Sequence, residues 1–299
     1  MISRRQTLQL TAAAGLAAAL PLAAQAAGKL TLQSFPTDEN GFFRMPVLVS
    51  GEKDAILIDG PFNYGHGAQI VDAIKKSGKN LKMIIQTIYD PDFYFGMKPI
   101  HEAFPDAKLV SASLTIKKMH DSLAGKLATW TPVLKQYGPA TEADIVWPTA
   151  WKSPNFTLEG KSIQVIDNPG LGDRGRFVWI PSLKAVLGGS LVFSGLHLWT
   201  ADNAKPALKT AWIRALDNIT AHSPKIVIPG HQFAAGDPQG VEVVKLNKRY
   251  LKDFIREQAS AKDGATLIAA MTKLYPQLQK ADPFLVYGAK VAKGEMKWG

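Results

Sequence analysis

Apolar positions along this chain follow two periods in turn. Residues 30–35 alternate, and 45–50 and 55–59 are short apolar runs parted by the turn Gly51, Glu52, Lys53, Asp54. Runs of that length between turn signals read as β-strands, the later ones buried on both faces. Over 68–77, Ile70, Val71 and Ile74 recur at helical spacing and Gly78 follows as a stop, which predicts a helix. Residues 82–87 and 108–111 predict further buried strands. Residues 98–104 predict a short helix closed by Pro105, and 114–137 a long helix broken before Pro132. This half of the chain alternates strand with helix.

The middle of the chain changes character. Residues 156–158, 162–166, 176–180 and 185–187 are short strands joined by tight turns, among them Glu159-Gly160 and Pro181-Ser182, and together predict a β-meander. A helix over 205–223 then places Ala211, Ala215 and Ile219 on one face. A strand over 225–228 runs into Pro229-Gly230-His231. A long helix over 241–259 carries Val244, Leu251 and Ile255, and two shorter ones over 264–274 and 283–293 finish the chain. Strands and helices on either side of a meander predict an α/β (α+β) fold of two sheets packed face to face under helices.

The first 26 residues read as an address. A positive start with Arg4 and Arg5, an apolar stretch over 11–22 and the small-x-small site Ala24-Gln25-Ala26 form a secretory signal. Ser3-Arg4-Arg5-Gln6-Thr7-Leu8 resembles a twin-arginine signal, with Thr7 where the pattern prefers Phe. This predicts export to the periplasm or beyond, a signal over 1–26 and a single domain over 27–299 with a helical extension from about 240. Past the signal no run approaches the ~20 apolar residues that span a bilayer, so no membrane is expected as a partner. The chain has no cysteine, which removes thiolate metal sites and cysteine nucleophiles. The net charge of +10 is spread out with no Lys/Arg block, so no nucleic acid is expected either.

Three motifs in this order resemble the metallo-β-lactamase superfamily. They are Ile56-Leu57-Ile58-Asp59-Gly60, then the segment from Thr87 through Tyr89, Asp90, Asp92 and Phe93 to Gly96, then Ile226-Val227-Ile228-Pro229-Gly230-His231. Between them Val186-Leu187-Gly188-Gly189-Ser190 resembles the strand that carries the family's metal-bridging Asp. The resemblance spans residue 30 to about 236 and implies an αββα sandwich, two mixed β-sheets flanked by helices, with a metal site at one edge. Matched residue by residue, the family's His-x-His-x-Asp-His reads Ile88, Asp90, Asp92 and Phe93, the bridging Asp falls on Ser190, and the mid-chain Pro-Gly-His becomes Pro169-Gly170-Leu171. Asp92 and His231 remain, and in the family they share one metal position. A dinuclear zinc site is not expected. The resemblance implies at most one divalent ion, zinc first, held by Asp90, Asp92 and His231, which would meet the three-ligand need of a catalytic site.

Around that set, Asp92 and Tyr89 are the candidate catalytic groups. Tyr94, Asp173, Arg174, Ser190, His197 and Trp199 are candidates to contact a substrate, with Arg176, Asp59 and His66 further off. Asp92 also has a plainer reading as a helix cap after Pro91. The residues leave two functions open: a mononuclear metallo-hydrolase of a small ester, lactone, amide or phosphoester, its metal-bound water made acidic, and a metal-free, non-catalytic ligand-binding or accessory protein on the same fold. Either way the partner is a small molecule.

Overall fold

The computed structural model describes residues 28–237 and 239–298; the signal segment 1–26 lies outside them. The first sheet has the order β1 (Thr31–Ser34), β2 (Val47–Ser50), β3 (Asp54–Ile58), β4 (Asn80–Ile85), β5 (Lys108–Ser111) and β6 (Thr149–Ala150). β1, β2 and β3 pair antiparallel; β3 through β6 pair parallel. Parallel neighbours need crossovers, and α1 (Tyr64–Ser77), α2 (Lys98–Ala103) and α3 (Ser113–Leu134) lie in them. The second sheet is the expected meander, β7 (Asn155–Leu158), β8 (Lys161–Ile166), β9 (Phe177–Ile180) and β10 (Ala185–Leu187). β11 (Phe193–Ser194) follows outside that sheet. After α4 (Pro206–Ala221), β12 (Ile226–Val227) joins the sheet parallel to β10.

The two-residue period of the strands sorts their side chains between layers. Val47, Val49, Ile56 and Ile58 point into the space between the sheets, where Val165, Val178, Ile180 and Leu187 meet them. The alternate residues Leu48, Ala55 and Leu57 face outward under Ile70, Val71 and Ile74 of α1. On the other side Phe177 and Val186 face outward under Ala211, Ala215 and Ile219 of α4. The result is an αββα sandwich. α5 (Val241–Ser260), α6 (Gly264–Leu274) and α7 (Val286–Ala292) pack into that last layer through Val244, Leu251, Leu267 and Ala289. A fully buried Val, Leu or Ile contributes about 1.5–3 kcal/mol relative to exposure, so the interface between the sheets is held by apolar side chains.

Some local expectations give way to context. α3 does not break before Pro132 but runs through it to Leu134. Pro132 forfeits the one backbone bond its N–H would give, and only two residues of helix follow it. The run after β10 is no longer strand: Gly188 and Gly189 turn the chain at φ 73° and 70°. A Cβ on Gly189 would lie 2.1 Å from the Arg176 carbonyl, so only glycine fits there. The chain then forms β11, which pairs parallel with β13 (His231–Gln232) in a separate ribbon. The last helix starts at Val286, after an irregular turn over Ala281–Leu285, rather than at 283.

Candidate functional site

Five connections meet at one edge of the sandwich: the ends of β3, β4, β8, β10 and β12. β3 ends on Asp59, at φ 58° and fully buried. Its carboxylate accepts bonds from the Thr87 N–H (2.7 Å), the Thr87 hydroxyl (2.8 Å) and the Gly189 N–H (2.9 Å). Asp59 therefore ties the ends of β3, β4 and β10 together. Burial pushes its pKa up, against the pull of Arg44 and these donors.

The motif after β4 forms a 3-10 turn, Pro91–Phe93. Asp92 reaches across to His231, with Oδ2 3.2 Å from Nε2. Burial would raise Asp92, but the His231 bond and the Arg44 charge outweigh it and hold the carboxyl below its ordinary range. Burial pulls His231 down to about 4, so the ring is neutral near pH 7. An ionised carboxylate can only accept, which puts the imidazole proton on Nε2. The ring stacks flat on Phe193 at 4.5 Å and 1°.

Behind this pair stands Arg44, fully buried. Its Nη1 donates to the Gly230 carbonyl (2.6 Å), Nη2 lies 3.5 Å from Asp59 and Nε 3.6 Å from Asp92. The guanidinium carbon sits 3.3 Å from the centre of the Phe93 ring. Backbone pairing holds it in place: Arg44 bridges antiparallel to His231, and the Met45 N–H donates to the Gly230 carbonyl at 3.1 Å.

Nearer solvent lies a second cluster. Both oxygens of Asp90 are taken by Arg174, at 2.5 and 2.6 Å. Arg174 also pairs with Asp202 at 3.0 Å. Asp202 accepts in turn from the indoles of Trp199 (2.7 Å) and Trp298 (2.8 Å). Burial lifts Asp90 to about 7, against the pull of Arg174. Three cations surround the half-buried Tyr89 ring: Lys118 at 4.8 Å, Lys126 at 3.9 Å and Arg174 at 5.3 Å from its centre. Asp173 accepts from Lys118 (2.8 Å) and the Tyr89 N–H (3.2 Å). Lys126 donates to the Tyr89 carbonyl and, among the described residues, has no carboxylate within ion-pair distance. Burial lowers it to about 8.

The structure thus brings Asp90, Tyr89, Arg174 and Trp199 to one part-buried mouth, with Asp173 fully buried beneath Tyr89 and Lys118 and with Asp92 and His231 behind. Tyr94 is buried beside Phe95, its hydroxyl without a partner and its pKa pushed up by burial. Ser190 is half-buried past the Gly188–Gly189 turn. His197 does not reach the mouth. It is buried in the helical layer, its Nδ1 3.1 Å from the Tyr250 hydroxyl, because the chain past β11 turns under α5. Arg176 is structural in its contacts, joining Asp167 (2.6 Å) and the Thr87 carbonyl (3.1 Å), and His66 lies on α1 beside Asp38. The capping reading of Asp92 finds no support, since α2 begins only at Lys98. Arg44, Lys126 and Asp202 escaped the motif reading. Arg44 alone had a signal: it is the one charge between Gly41 and Ser50, an otherwise apolar stretch.

The donors do not fit a divalent ion. Among the described residues no three His, Cys, Asp or Glu side chains gather as a metal site would need, and Arg174 occupies both oxygens of Asp90. Arg44 would oppose an ion there as well. Two unit charges 4 Å apart interact by about 4 kcal/mol at an effective dielectric of 20, so a divalent ion would meet about twice that repulsion.

The model of the metallo-beta-lactamase superfamily matches residues 41–231, and the chain belongs to that superfamily. The metallo-beta-lactamase from Pontibacter korlensis is similar in structure, with a TM-score of 0.52 at 20% identity over 70% of this chain and 87% of that one. VMB-1 is similar with a TM-score of 0.51 at 20% identity over 78% of this chain and 93% of its own. At such identities the likeness is one of fold, a fold that serves metallo-hydrolases of small molecules. No curated protein matches the chain.

Proposed function

We propose that this superfamily member binds a small anionic molecule at the mouth formed by Tyr89, Lys126 and Arg174, without a resident divalent ion. The observation that carries the reading is Lys126. A half-buried ammonium normally has a carboxylate near it, because desolvating a lone charge is costly. Lys126 touches only a carbonyl and the face of Tyr89, while Asp90, Asp92 and Asp173 act on it from beyond ion-pair distance. Its remaining N–H donors are matched by an incoming carboxylate or phosphate oxygen. Asp90 has both oxygens taken by Arg174, which matches its charge, so it repels such a ligand little.

Metal-assisted hydrolysis of an ester, lactone, amide or phosphoester would call for a metal-bound water, and the donor set does not support one. Export under residues 1–26 belongs to the same proposal and puts the ligand outside the cytoplasm. The test is calorimetric titration of the mature protein, purified without an affinity tag, with benzoate and with inorganic phosphate, with and without chelator. Binding that survives chelation and falls at least about tenfold in Lys126→Met is expected. Stoichiometric zinc whose removal abolishes binding would overturn the reading.

A further inference from the structure

We propose that the Arg44 guanidinium stands as a built-in cation in place of the metal ion that Asp92 and His231 share in related proteins. The inference rests on the metal-independent part of the reading above and assigns a cause to it. Three observations carry it. First, Arg44 is fully buried, and its guanidinium faces three oxygens: the Gly230 carbonyl, Asp59 and Asp92. A cage of oxygens around one positive centre is the environment of a metal ion, here supplied to a guanidinium.

Second, only Nη1 is hydrogen-bonded. Nε and Nη2 have no hydrogen-bond partner, and their carboxylates stand back at 3.6 and 3.5 Å. A site shaped around arginine would satisfy its planar fork of donors. This one holds the guanidinium mainly by charge.

Third, the residues that replace imidazoles complete the change. Phe93 gives its ring face to the guanidinium at 3.3 Å, and Ile88 is fully buried nearby in the chain. Phe42 and Phe43, at φ 55° and 56°, bend the backbone just before Arg44, and the bridge to His231 fixes it there. Non-glycine residues in that region persist only where surroundings demand it.

The experiment compares the mature wild type with Arg44→Lys, Arg44→Ala and Arg44→Ala/His231→Ala. Zinc affinity is read by competition with a chelating dye, and melting is followed with and without zinc. Wild type and Arg44→Lys should keep their melting temperatures on adding zinc. Arg44→Ala should melt several degrees lower, bind zinc at least about tenfold more tightly than wild type and regain melting temperature in zinc. The double variant should lose that gain, which places the zinc on His231. If Arg44→Ala is insoluble, growth with zinc should recover it, and failure to recover counts against the proposal. Equal zinc affinity in wild type and Arg44→Ala would overturn it. Benzoate titration of Arg44→Lys separates the two readings: retained zinc results with no anion binding sink only the proposal for Lys126.

Discussion

Two charge clusters share one edge of the sandwich and follow different rules. The inner cluster, Arg44 with Asp59, Asp92 and His231, is shut in. Its central carboxylate, Asp59, accepts from two backbone N–H groups and a hydroxyl. The outer cluster, Tyr89, Asp90, Arg174, Asp202 and Lys126, lies nearer solvent, and its charges are met by other long side chains or, for Lys126, only by carboxylates beyond ion-pair distance. Fixed backbone donors mark charges that hold strand ends together. A cation with no counter-charge in contact marks a place where a ligand completes the set.

That contrast can be broken in order of effect. Asp59→Ala should act most, since it removes three accepted bonds and leaves Arg44 facing Asp92 alone. Breaking a buried ion pair from one side costs about 3–5 kcal/mol, read from urea unfolding. A loss below ~1 kcal/mol would put the inner cluster on the footing of a surface one. Lys126→Met should cost about 1.4 kcal/mol or more of anion binding, the tenfold change named above, while leaving the melting temperature unchanged or higher because an unpaired ammonium is gone. A clear drop in melting temperature would make Lys126 structural instead.

The pH dependence is a gentler probe of the outer cluster. An anion needs Lys126 charged and gains from any protonation of Asp90. Asp90 loses its proton through about 7 and Lys126 through about 8, so affinity should be greatest near pH 6 and decline steadily to pH 9. Titrations across that range decide it, and a rise toward pH 9 would reverse the assignment. The smallest effect is expected from removing residues 1–26, which should leave melting and anion binding unchanged. The companion measurement is N-terminal sequencing of exported protein, expected to begin at Ala27, with Arg4→Lys/Arg5→Lys retained in the cytoplasm.

Much of the architecture was legible before any coordinates. The runs around Val49, Ile56 and Val178 are apolar at every position because each strand is covered on both faces, and that pattern survives in one dimension. Gly78 and the Glu159-Gly160 pair announced a helix end and a hairpin through backbone conformations that few residues tolerate. The replacement of imidazoles by Ile88, Asp90 and Phe93 was likewise plain, since a motif is read over a few neighbouring positions. β11 and β13 stayed hidden, because two-residue strands carry no period and exist only through their mutual pairing.

Local pattern was enough for the longer strands and helices, the superfamily they resemble and the loss of its metal ligands, because those properties rest on neighbouring residues and their periodicity. What the remaining charges do is settled by contacts that folding makes between distant residues. Arg44 meets Gly230 across 186 positions, Asp92 meets His231 across 139, and Asp90 meets Arg174 across 84. A guanidinium can pair with any carboxylate that folding sets beside it, and no local pattern names which. Asp90 is therefore a ligand candidate along the chain and an ion-pair partner in space, while Arg44, silent in every motif, becomes the cation at the centre of the edge.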